Sequence, residues 1–253
     1  MAFVDYEKRG HVAIVTLNRP DRLNALGREL STELREAEND FATDNDLWVL
    51  IYTGTGRAFS AGMDVRDRVE GRTGPGASAP PLPAAIEITK PRIAAVNGLC
   101  YGAAFEMTQR MDIRICSEDA TFAMPEVARG VVPPTGLFYL TRLIGQSDAL
   151  WMMMSAAPVD AAAALRMGLV SRVVPGDQLL DAAVEMAEQI NKNSPSAVRL
   201  VKKLARLGAE VPLEYGQKIA AREIQEIWTS EDQREGMRSF LEKRDPVWTG
   251  HLG

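Results

Sequence analysis

The chain has 253 residues, of which 46% are hydrophobic and 25% are charged, and its formal net charge is −5. This composition predicts one sizeable globular domain with an appended helical part. The acidic balance argues against a nucleic-acid-binding or anionic-membrane-binding protein, because both classes use a broad basic surface. The start of the chain shows no signal-peptide core, and no window approaches the roughly 18 apolar residues of a membrane span. We therefore expect a cytoplasmic protein whose partners include neither nucleic acid nor membrane.

Histidine and cysteine are both scarce. The histidines, His11 and His251, stand near opposite ends of the chain, and the cysteines, Cys100 and Cys116, stand in short apolar segments. A Ser-His-Asp triad or a histidine zinc site needs imidazoles that converge, so we expect neither of them and no metal. The cysteines are typical of buried core thiols in a reducing compartment. We therefore expect any catalysis to use carboxylates and backbone groups.

In chain order, apolar runs predict strands at residues 11–17, 47–53, 92–96, 113–116 and 169–174. A helical pattern at residues 27–41 separates the first two of these strands, and further helical stretches lie between the others. After Pro175 the patterns are helical alone, at residues 177–191, 195–207, 212–229 and 231–243. Alternating strands and helices predict a parallel α/β sheet. We expect an α/β core over residues 1–190 and a helical region over residues 191–253.

In one segment inside the predicted core, the sequence pattern predicts neither a helix nor a strand. Residues 68–83 are dense in Gly, Pro, Ala and Ser, and such a composition cannot bury enough apolar surface to order itself. Two interpretations stay open at this point. The segment is either a mobile surface loop or a flexible wall beside the glycine-containing stretch just upstream of it.

That upstream stretch, GTGRAFSAGMD at residues 54–64, follows a predicted strand. Its first two glycines suggest a nucleotide-binding loop. A dinucleotide fingerprint needs a third glycine at the position of Phe59, and no Gly-Lys-Ser/Thr follows as in a P-loop. Neither phosphate-binding motif is therefore present. Residues 60–64 remain as a turn of small residues in which the backbone can approach a ligand closely.

A second constellation follows Lys90, where Gly102-Ala103-Ala104 opens a helix that carries Glu106. The unpaired N–H groups at a helix start can stabilise an oxyanion without a charged side chain. Glu126 follows twenty residues later, and burial would raise the pKa of either glutamate and suit it to proton transfer. Glutamates near a helix start are also common as ordinary caps or exposed charges. Spacing alone does not decide between these roles.

Taken together, these motifs resemble the crotonase superfamily, the enoyl-CoA hydratases and isomerases, over nearly the whole chain. The matching motifs are Asn18-Arg19-Pro20, Asn24-Ala25-Leu26, residues 59–64, Lys90-Pro91, Asn97-Gly98, residues 106–112, Phe122, Pro125-Glu126, Gly168-Leu169-Val170 and Glu242-Lys243-Arg244. Their order and spacing make the match specific. The resemblance implies a spiral of ββα units and a C-terminal helical region that forms trimers, usually paired into hexamers. It also implies an acyl-CoA thioester as substrate, with no separate cofactor.

The resemblance assigns the reacting groups. The backbone N–H groups of Met63 and Ala103 would bind the thioester oxygen and stabilise the enolate-like charge that develops there. Glu106 would orient a water molecule over the β-carbon of a trans-2-enoyl thioester and help to deprotonate it, and Glu126 would deliver a proton to the α-carbon.

For the CoA part of the substrate, the resemblance assigns backbone groups of two loops to the adenine and pantetheine regions, at Arg22, Leu23, Ala25 and Ala61. Arg22 is also a candidate phosphate partner, with a solvated surface cation as the alternative interpretation. Phe240 and Lys243 match C-terminal positions that reach the CoA of a neighbouring subunit in relatives. Oligomerisation would then complete the CoA site.

The chain departs from the family pattern at two places. Ala103 and Ala104 stand where glycines are common, which would tighten or shift the oxyanion hole, and residues 133–136 (PPTG) replace a more glycine-rich turn, which would reshape the acyl pocket. Three functions stay open. The two glutamates favour a 2-enoyl-CoA hydratase. The second function is that of a related acyl-CoA enzyme, an isomerase or a carnitinyl-CoA-type dehydratase, and the run EKRDPVW at residues 242–248 resembles the dehydratase. The alanines alone favour a non-catalytic acyl-CoA-binding paralogue.

Overall fold

The computed structural model describes residues 2–72 and 89–250. Within these residues the larger sheet has six strands, in the order β1 (Val4–Arg9), β2 (Val12–Leu17), β3 (Val49–Gly54), β5 (Arg92–Val96), β7 (Ile113–Ser117) and β10 (Arg172–Val174). A smaller sheet has four short strands, in the order β4 (Ala58–Ser60), β6 (Leu99–Tyr101), β8 (Thr121–Ala123) and β9 (Val159–Asp160). Neighbouring strands are parallel except in the pairs β1–β2 and β8–β9.

Helices connect the strands and continue beyond them. In chain order they are α1 (Arg28–Thr43), α2 (Val65–Val69), α3 (Ala103–Gln109), α4 (Gly136–Leu143), α5 (Gln146–Ser155), α6 (Ala161–Arg166), α7 (Leu179–Asn191), α8 (Pro195–Gly208), α9 (Leu213–Trp228) and α10 (Glu231–Glu242). Short 3₁₀ helices lie at Pro20–Arg22, Pro125–Arg129 and Gly176–Gln178.

The chain repeats one structural unit. In β3-β4-α2, in β5-β6-α3 and in β7-β8-α4, the first strand joins the larger sheet, the second joins the smaller sheet, and a helix follows. This arrangement confirms the predicted α/β fold with a spiral of ββα units. Because each unit returns to the same two sheets, the turns between second strand and helix lie at the same end of the structure.

Both faces of the larger sheet are covered, as a parallel sheet requires. In β2 the side chains of Ala13, Val15 and Leu17 pack into the core cluster that also contains α1, whereas Val12 and Ile14 pack into the cluster that contains α7. This alternation follows from the two-residue repeat of a strand. The apolar runs of β2, β3 and β5 therefore mark strands that are buried on both sides.

Ion pairs attach helix α8 to this core. Asp112, just before β7, accepts from Lys202 Nζ at 2.9 Å and from Arg206 Nη2 at 2.7 Å, both on α8. Lys202 also donates to the carbonyl of Lys90 at 2.7 Å. No helix within residues 2–72 and 89–250 is long and apolar enough to cross a membrane.

Most predicted elements form where the sequence placed them, but one strand and the unassigned segment differ from the prediction. The strand expected at residues 169–174 begins only at Arg172, because Leu169 N–H bonds to Ala164 O in the turn that ends α6, where Gly168 has φ +77°. The unassigned segment at residues 68–83 begins inside α2, which ends at Val69. Its residues 73–83 lie outside the described part of the chain.

Five strands were not predicted. β1 has the polar sequence VDYEKR, because it pairs at the edge of the sheet and exposes one face. β4, β6, β8 and β9 have two or three residues each, too few to show a periodicity. The division at residue 190 and the trimerisation of the C-terminal helices stay predictions.

Candidate active site

The turn at residues 60–64 lies against the start of α3. Gly62 has φ +87°, and a Cβ atom there would lie 2.5 Å from Tyr101 O and 3.1 Å from Ala103 N. Only glycine fits both the left-handed backbone and this close approach. The contact brings Met63 and Ala103 together, although forty residues separate them in the sequence.

Both predicted oxyanion donors have an unpaired backbone N–H. Leu26 N–H bonds to Gly62 O at 2.7 Å and Asp64 N–H bonds to Leu26 O at 3.3 Å, so the bridge between Leu26 and Met63 leaves the N–H of Met63 unused. Ala103 is the first residue of α3, and the first N–H groups of a helix have no intrahelical acceptor. Neither N–H donates to another group in the described part of the chain.

The side chain of Asp64 stabilises this turn. Its Oδ1 accepts from the N–H groups of Arg66 at 3.0 Å and Asp67 at 3.4 Å, which caps α2. Its Oδ2 lies 2.9 Å from Nη1 of Arg19, and both side chains are largely buried. The sequence contained these residues within its matching motifs, but nothing in the sequence assigned them this contact. The cap and the ion pair with Arg19 fix the position of Asp64, the residue that follows Met63.

Glu106 is buried in the first turn of α3, with 2% of its surface exposed. Its Oε1 accepts from Thr135 N–H at 2.9 Å, from Thr135 Oγ1 at 3.0 Å and from Gly136 N–H at 2.5 Å. These donors form the start of α4, so the Glu106 carboxylate occupies the place of a helix cap. The PPTG turn departs from the family pattern, but nothing in the sequence indicates this contact.

Glu126 has a different environment from Glu106. It is the second residue of the 3₁₀ helix after β8, and a Cβ atom on Gly102 would lie 3.2 Å from its Oε1. Its Oε2 is buried without a hydrogen-bond partner among the described residues. Burial raises the pKa of Glu126, and the charge of Glu106 adds to the rise, against the opposing effects of its own backbone N–H and of Arg129. A raised pKa favours the protonated form, which can donate a proton.

The predicted CoA-binding loops lie beside the Met63 turn. Ala61 N–H bonds to Leu23 O at 2.8 Å, and Ala25 N–H bonds to Arg22 O at 3.1 Å. Leu23 and Asn24 both have left-handed backbones, with φ of 51° and 53°. The structure thus brings Arg22, Leu23, Ala25 and Ala61 to one place. Non-glycine residues in this conformation cluster at functional sites.

The buried amide of Asn24 stabilises that loop conformation. Its Oδ1 accepts from Arg19 N–H at 2.7 Å, and its Nδ2 donates to the carbonyls of Thr55 at 3.0 Å and Ala58 at 2.8 Å. All three partners are backbone groups, and Ala58 is the first residue of β4. The Asn side chain therefore joins the predicted CoA loop to the strand that leads into the Met63 turn.

Phe240 lies on the C-terminal helix α10, and Lys243 is the residue that caps its end. Phe240 is 80% exposed on α10, and Lys243 ends that helix with φ 54°. No hydrogen bond or ion pair between described residues joins either of them to residues 22–25 or to Ala61. Their action on a neighbouring subunit's CoA stays a prediction.

Across residues 2–72 and 89–250, no group of three or more His, Cys, Asp or Glu side chains is placed to hold a metal ion. Cys100 and Cys116 are buried free thiols, as predicted, and burial raises the pKa of Cys116 to about 12. The reacting groups that the described residues place at the site are two carboxyl groups and two backbone donors.

A spiral of ββα units that carries such donors and carboxyl groups at the ends of its small strands defines a crotonase-superfamily protein. A family model described as enoyl-CoA hydratase/isomerase matches residues 7–251, and the chain belongs to this family. It is thus an enzyme of the hydratase and dehydratase type, and the family implies an acyl-CoA substrate.

Individual relatives cover nearly the full chain. A carnitinyl-CoA dehydratase of Citrobacter koseri is 37% identical over 97% of this chain and 97% of its own. A protein named "Probable enoyl-CoA hydratase, mitochondrial" from Dictyostelium discoideum is 39% identical over 96% of this chain and 89% of its own. The crystal structure of an enoyl-CoA hydratase/isomerase from Mycobacterium paratuberculosis superposes with a TM-score of 0.89 at 38% identity, covering 99% of each chain.

Proposed function

We propose that the protein is an enoyl-CoA hydratase, which adds water across the double bond of a 2-enoyl-CoA thioester. The observation that carries this proposal is the pair of glutamates in unlike environments beside the two unpaired N–H groups. Glu106 is held by three donors, whereas Glu126 has a buried oxygen without a partner among the described residues. Hydration needs one group for the water and another for the α-carbon.

In the proposed reaction, the N–H groups of Met63 and Ala103 bind the thioester oxygen. Negative charge develops on this oxygen as water attacks the β-carbon, and each such donor contributes roughly 3–4 kcal/mol of transition-state stabilisation. The alanine at position 103 retains its N–H, so its side chain does not remove the donor. Glu106 orients the water and accepts its proton, while the hydroxyl bonds to the β-carbon. Glu126 gives its proton to the α-carbon, and solvent then restores both carboxyl groups.

Two related reactions compete with this proposal. Dehydration runs the same steps in reverse, and the carnitinyl-CoA dehydratase relative makes a 3-hydroxyacyl-CoA with a cationic acyl end the second candidate substrate. Isomerisation needs only one base that moves a proton between carbons, so the retention of both glutamates favours hydration. A non-catalytic acyl-CoA-binding protein would have no use for the unpartnered Glu126 oxygen.

The test of the proposal is the loss of enoyl-thioester absorbance when the purified protein acts on crotonyl-CoA. We expect Glu126→Gln to lower kcat by roughly 10²–10⁴-fold, because the variant cannot donate the proton, while acyl-CoA binding is retained. Glu118→Gln, a change at an exposed glutamate, is the matched control and leaves kcat unchanged. Undiminished hydration by Glu126→Gln would refute the assigned role.

Product identification separates the candidate reactions. The same protein is incubated with crotonyl-CoA, a 3-enoyl-CoA and carnitinyl-CoA, and the products are identified by mass and by NMR. Formation of a 3-hydroxyacyl-CoA supports hydration, a shifted double bond supports isomerisation, and turnover of carnitinyl-CoA alone supports the dehydratase. No turnover of any of them, with binding retained, supports the non-catalytic function.

We also propose that the active form is a homotrimer or a pair of trimers. The described C-terminal helices expose large apolar side chains, at Leu213, Tyr215, Trp228, Met237, Phe240 and Leu241. An exposed apolar surface of this kind marks an interaction site. Assembly would bring Phe240 and Lys243 of one chain to the CoA held by the Arg22 loop of another.

A further inference from the structure

Thr135 stands at the N-cap position of α4 but does not cap its own helix. Serine and threonine at this position normally accept a hydrogen bond from an N–H in the first turn. Here the Thr135 side chain accepts none from that turn, and its Oγ1 donates to Glu106 Oε1 at 3.0 Å. The carboxylate of α3 takes the cap position instead. Thr135 is therefore placed to act on Glu106 rather than on α4.

The contact occupies one particular oxygen of Glu106. Three donors converge on Oε1, and a carboxylate oxygen has two lone pairs, so this oxygen has no remaining capacity for a water molecule. The approach is close because of Gly136, where a Cβ atom would lie 2.9 Å from Glu106 Cγ and 3.1 Å from Oε1. Oε2 is left as the oxygen that can act on the substrate water.

We propose that Thr135 is a positioning residue for the hydration step: its hydroxyl holds Glu106 Oε1 against the start of α4, so that Oε2 alone orients the attacking water. This inference rests on the function proposed above. It gives the two glutamates more distinct roles, because Thr135 contacts Glu106 and makes no hydrogen bond to Glu126 within the described residues. A change at Thr135 thus affects the addition of water but not the exchange of the α-proton.

The experiment compares two reactions in the same variants of the full-length protein. The first is hydration of crotonyl-CoA, which needs the water held by Glu106. The second is exchange of the α-protons of butyryl-CoA with deuterium from D₂O, followed by NMR. Butyryl-CoA has no double bond to hydrate, so its exchange needs only the oxyanion donors and Glu126.

Thr135→Val removes the hydroxyl and retains the backbone N–H at similar size. We expect its kcat for hydration to fall about 10-fold or more, since a hydrogen bond to a charged group is lost, with KM changed less than about 2-fold. The exchange rate of butyryl-CoA stays within about 2-fold of the wild-type rate. Thr135→Ser keeps a hydroxyl and restores hydration. Thr141→Val is the matched control, because among the described residues Thr141 Oγ1 bonds only within α4, to Leu137 O and Phe138 O.

Three results would overturn the inference while leaving the proposed function intact: unchanged hydration by Thr135→Val, equal loss of hydration and exchange, or no rescue by Thr135→Ser. If Thr135→Val does not fold, Thr135→Ala provides the same comparison. A wild-type protein that exchanges α-protons but hydrates no enoyl-CoA would refute the proposed function itself, and the positioning role would be lost with it. The two failures are thus distinguishable.

Discussion

Glu38 is a buried carboxyl group outside the candidate active site. It projects from α1 toward β3, where its Oε1 accepts a 2.8 Å hydrogen bond from the Tyr52 hydroxyl, and its Oε2 has no partner among the described residues. Burial raises the pKa of Glu38 to about 7, against the hydrogen bond from Tyr52 and the charges of Arg92, Arg35 and Arg110. The folded protein therefore favours the protonated side chain.

This shift predicts a pH dependence of stability. Because the folded-state pKa of Glu38 lies above the value in the unfolded chain, its stabilising contribution is fully present at low pH and is lost as pH rises through about 7. We expect Glu38→Gln, which stays neutral, to gain about 2–3 kcal/mol of unfolding free energy relative to the wild type between about pH 5 and about pH 8. Urea denaturation at the two pH values measures this difference.

The matched control for Glu38 is Glu36→Gln, at an exposed glutamate on the same helix. Its stability should follow that of the wild type at both pH values. A difference between Glu38→Gln and the wild type that does not change with pH would contradict the prediction. It would mean that Glu38 has the same ionisation state in the folded and unfolded chain.

At the scale of elements, the turn between β4 and α2 connects a structural cap to the proposed oxyanion donor. Asp64 caps α2 and pairs with Arg19, and the residue before it is Met63, whose N–H is unpaired. The position of that N–H therefore depends on how the start of α2 is held. A small displacement of a donor costs much of its effect on the transition state.

We expect Asp64→Ala to lower both stability and activity. Loss of the cap costs about 0.5–2 kcal/mol of unfolding free energy, and Arg19 loses its partner as well. The displaced Met63 N–H should lower kcat for crotonyl-CoA by roughly 10-fold or more. Thermal denaturation and steady-state kinetics measure the two effects.

Asp160→Ala is the matched control for the cap. Asp160 caps α6 by accepting from Ala163 N–H at 2.7 Å, and its side chain is exposed. This variant should lose cap energy without losing activity. Equal kcat values for the two alanine variants would show that the Asp64 cap does not position the donor.

At the scale of the whole molecule, the exposed apolar surface of the C-terminal helices is expected to pack against a partner. Phe240 is 80% exposed and Leu241 is 79% exposed on α10, and Leu213 is 74% exposed on α9. Water contact with side chains of this size is unfavourable by roughly 1.5–3 kcal/mol each. Burial against further copies of the chain would remove that cost and complete the CoA site as proposed.

Sedimentation velocity tests this assembly directly. We expect the purified protein to sediment as a trimer or a hexamer over a range of concentrations, because the apolar side chains that a single chain exposes would then be buried between chains. Lys243→Ala should weaken acyl-CoA binding while the sedimentation coefficient is unchanged. A monomer at every concentration would contradict the proposal.

Much of the larger sheet could be predicted from the sequence. β2, β3 and β5 are apolar on both faces, so their runs of Val, Ile, Leu and Ala are visible without knowledge of their neighbours. β1 was missed because its edge position tolerates polar side chains, and the strands of the smaller sheet were missed because they are short. The family motifs also identified Met63, Ala103, Glu106 and Glu126 as candidates.

The sequence by itself thus determined the alternation of strands and helices, the glycine turn at residues 60–64 and the family. Only the tertiary structure decided which groups meet: Gly62 against Ala103, and Thr135 against Glu106 across 29 residues. The physical reason is the range of the interactions. Strand and helix patterns depend on residues a few positions apart, whereas the charge and hydrogen bonding of a buried glutamate depend on whatever the packing brings beside it.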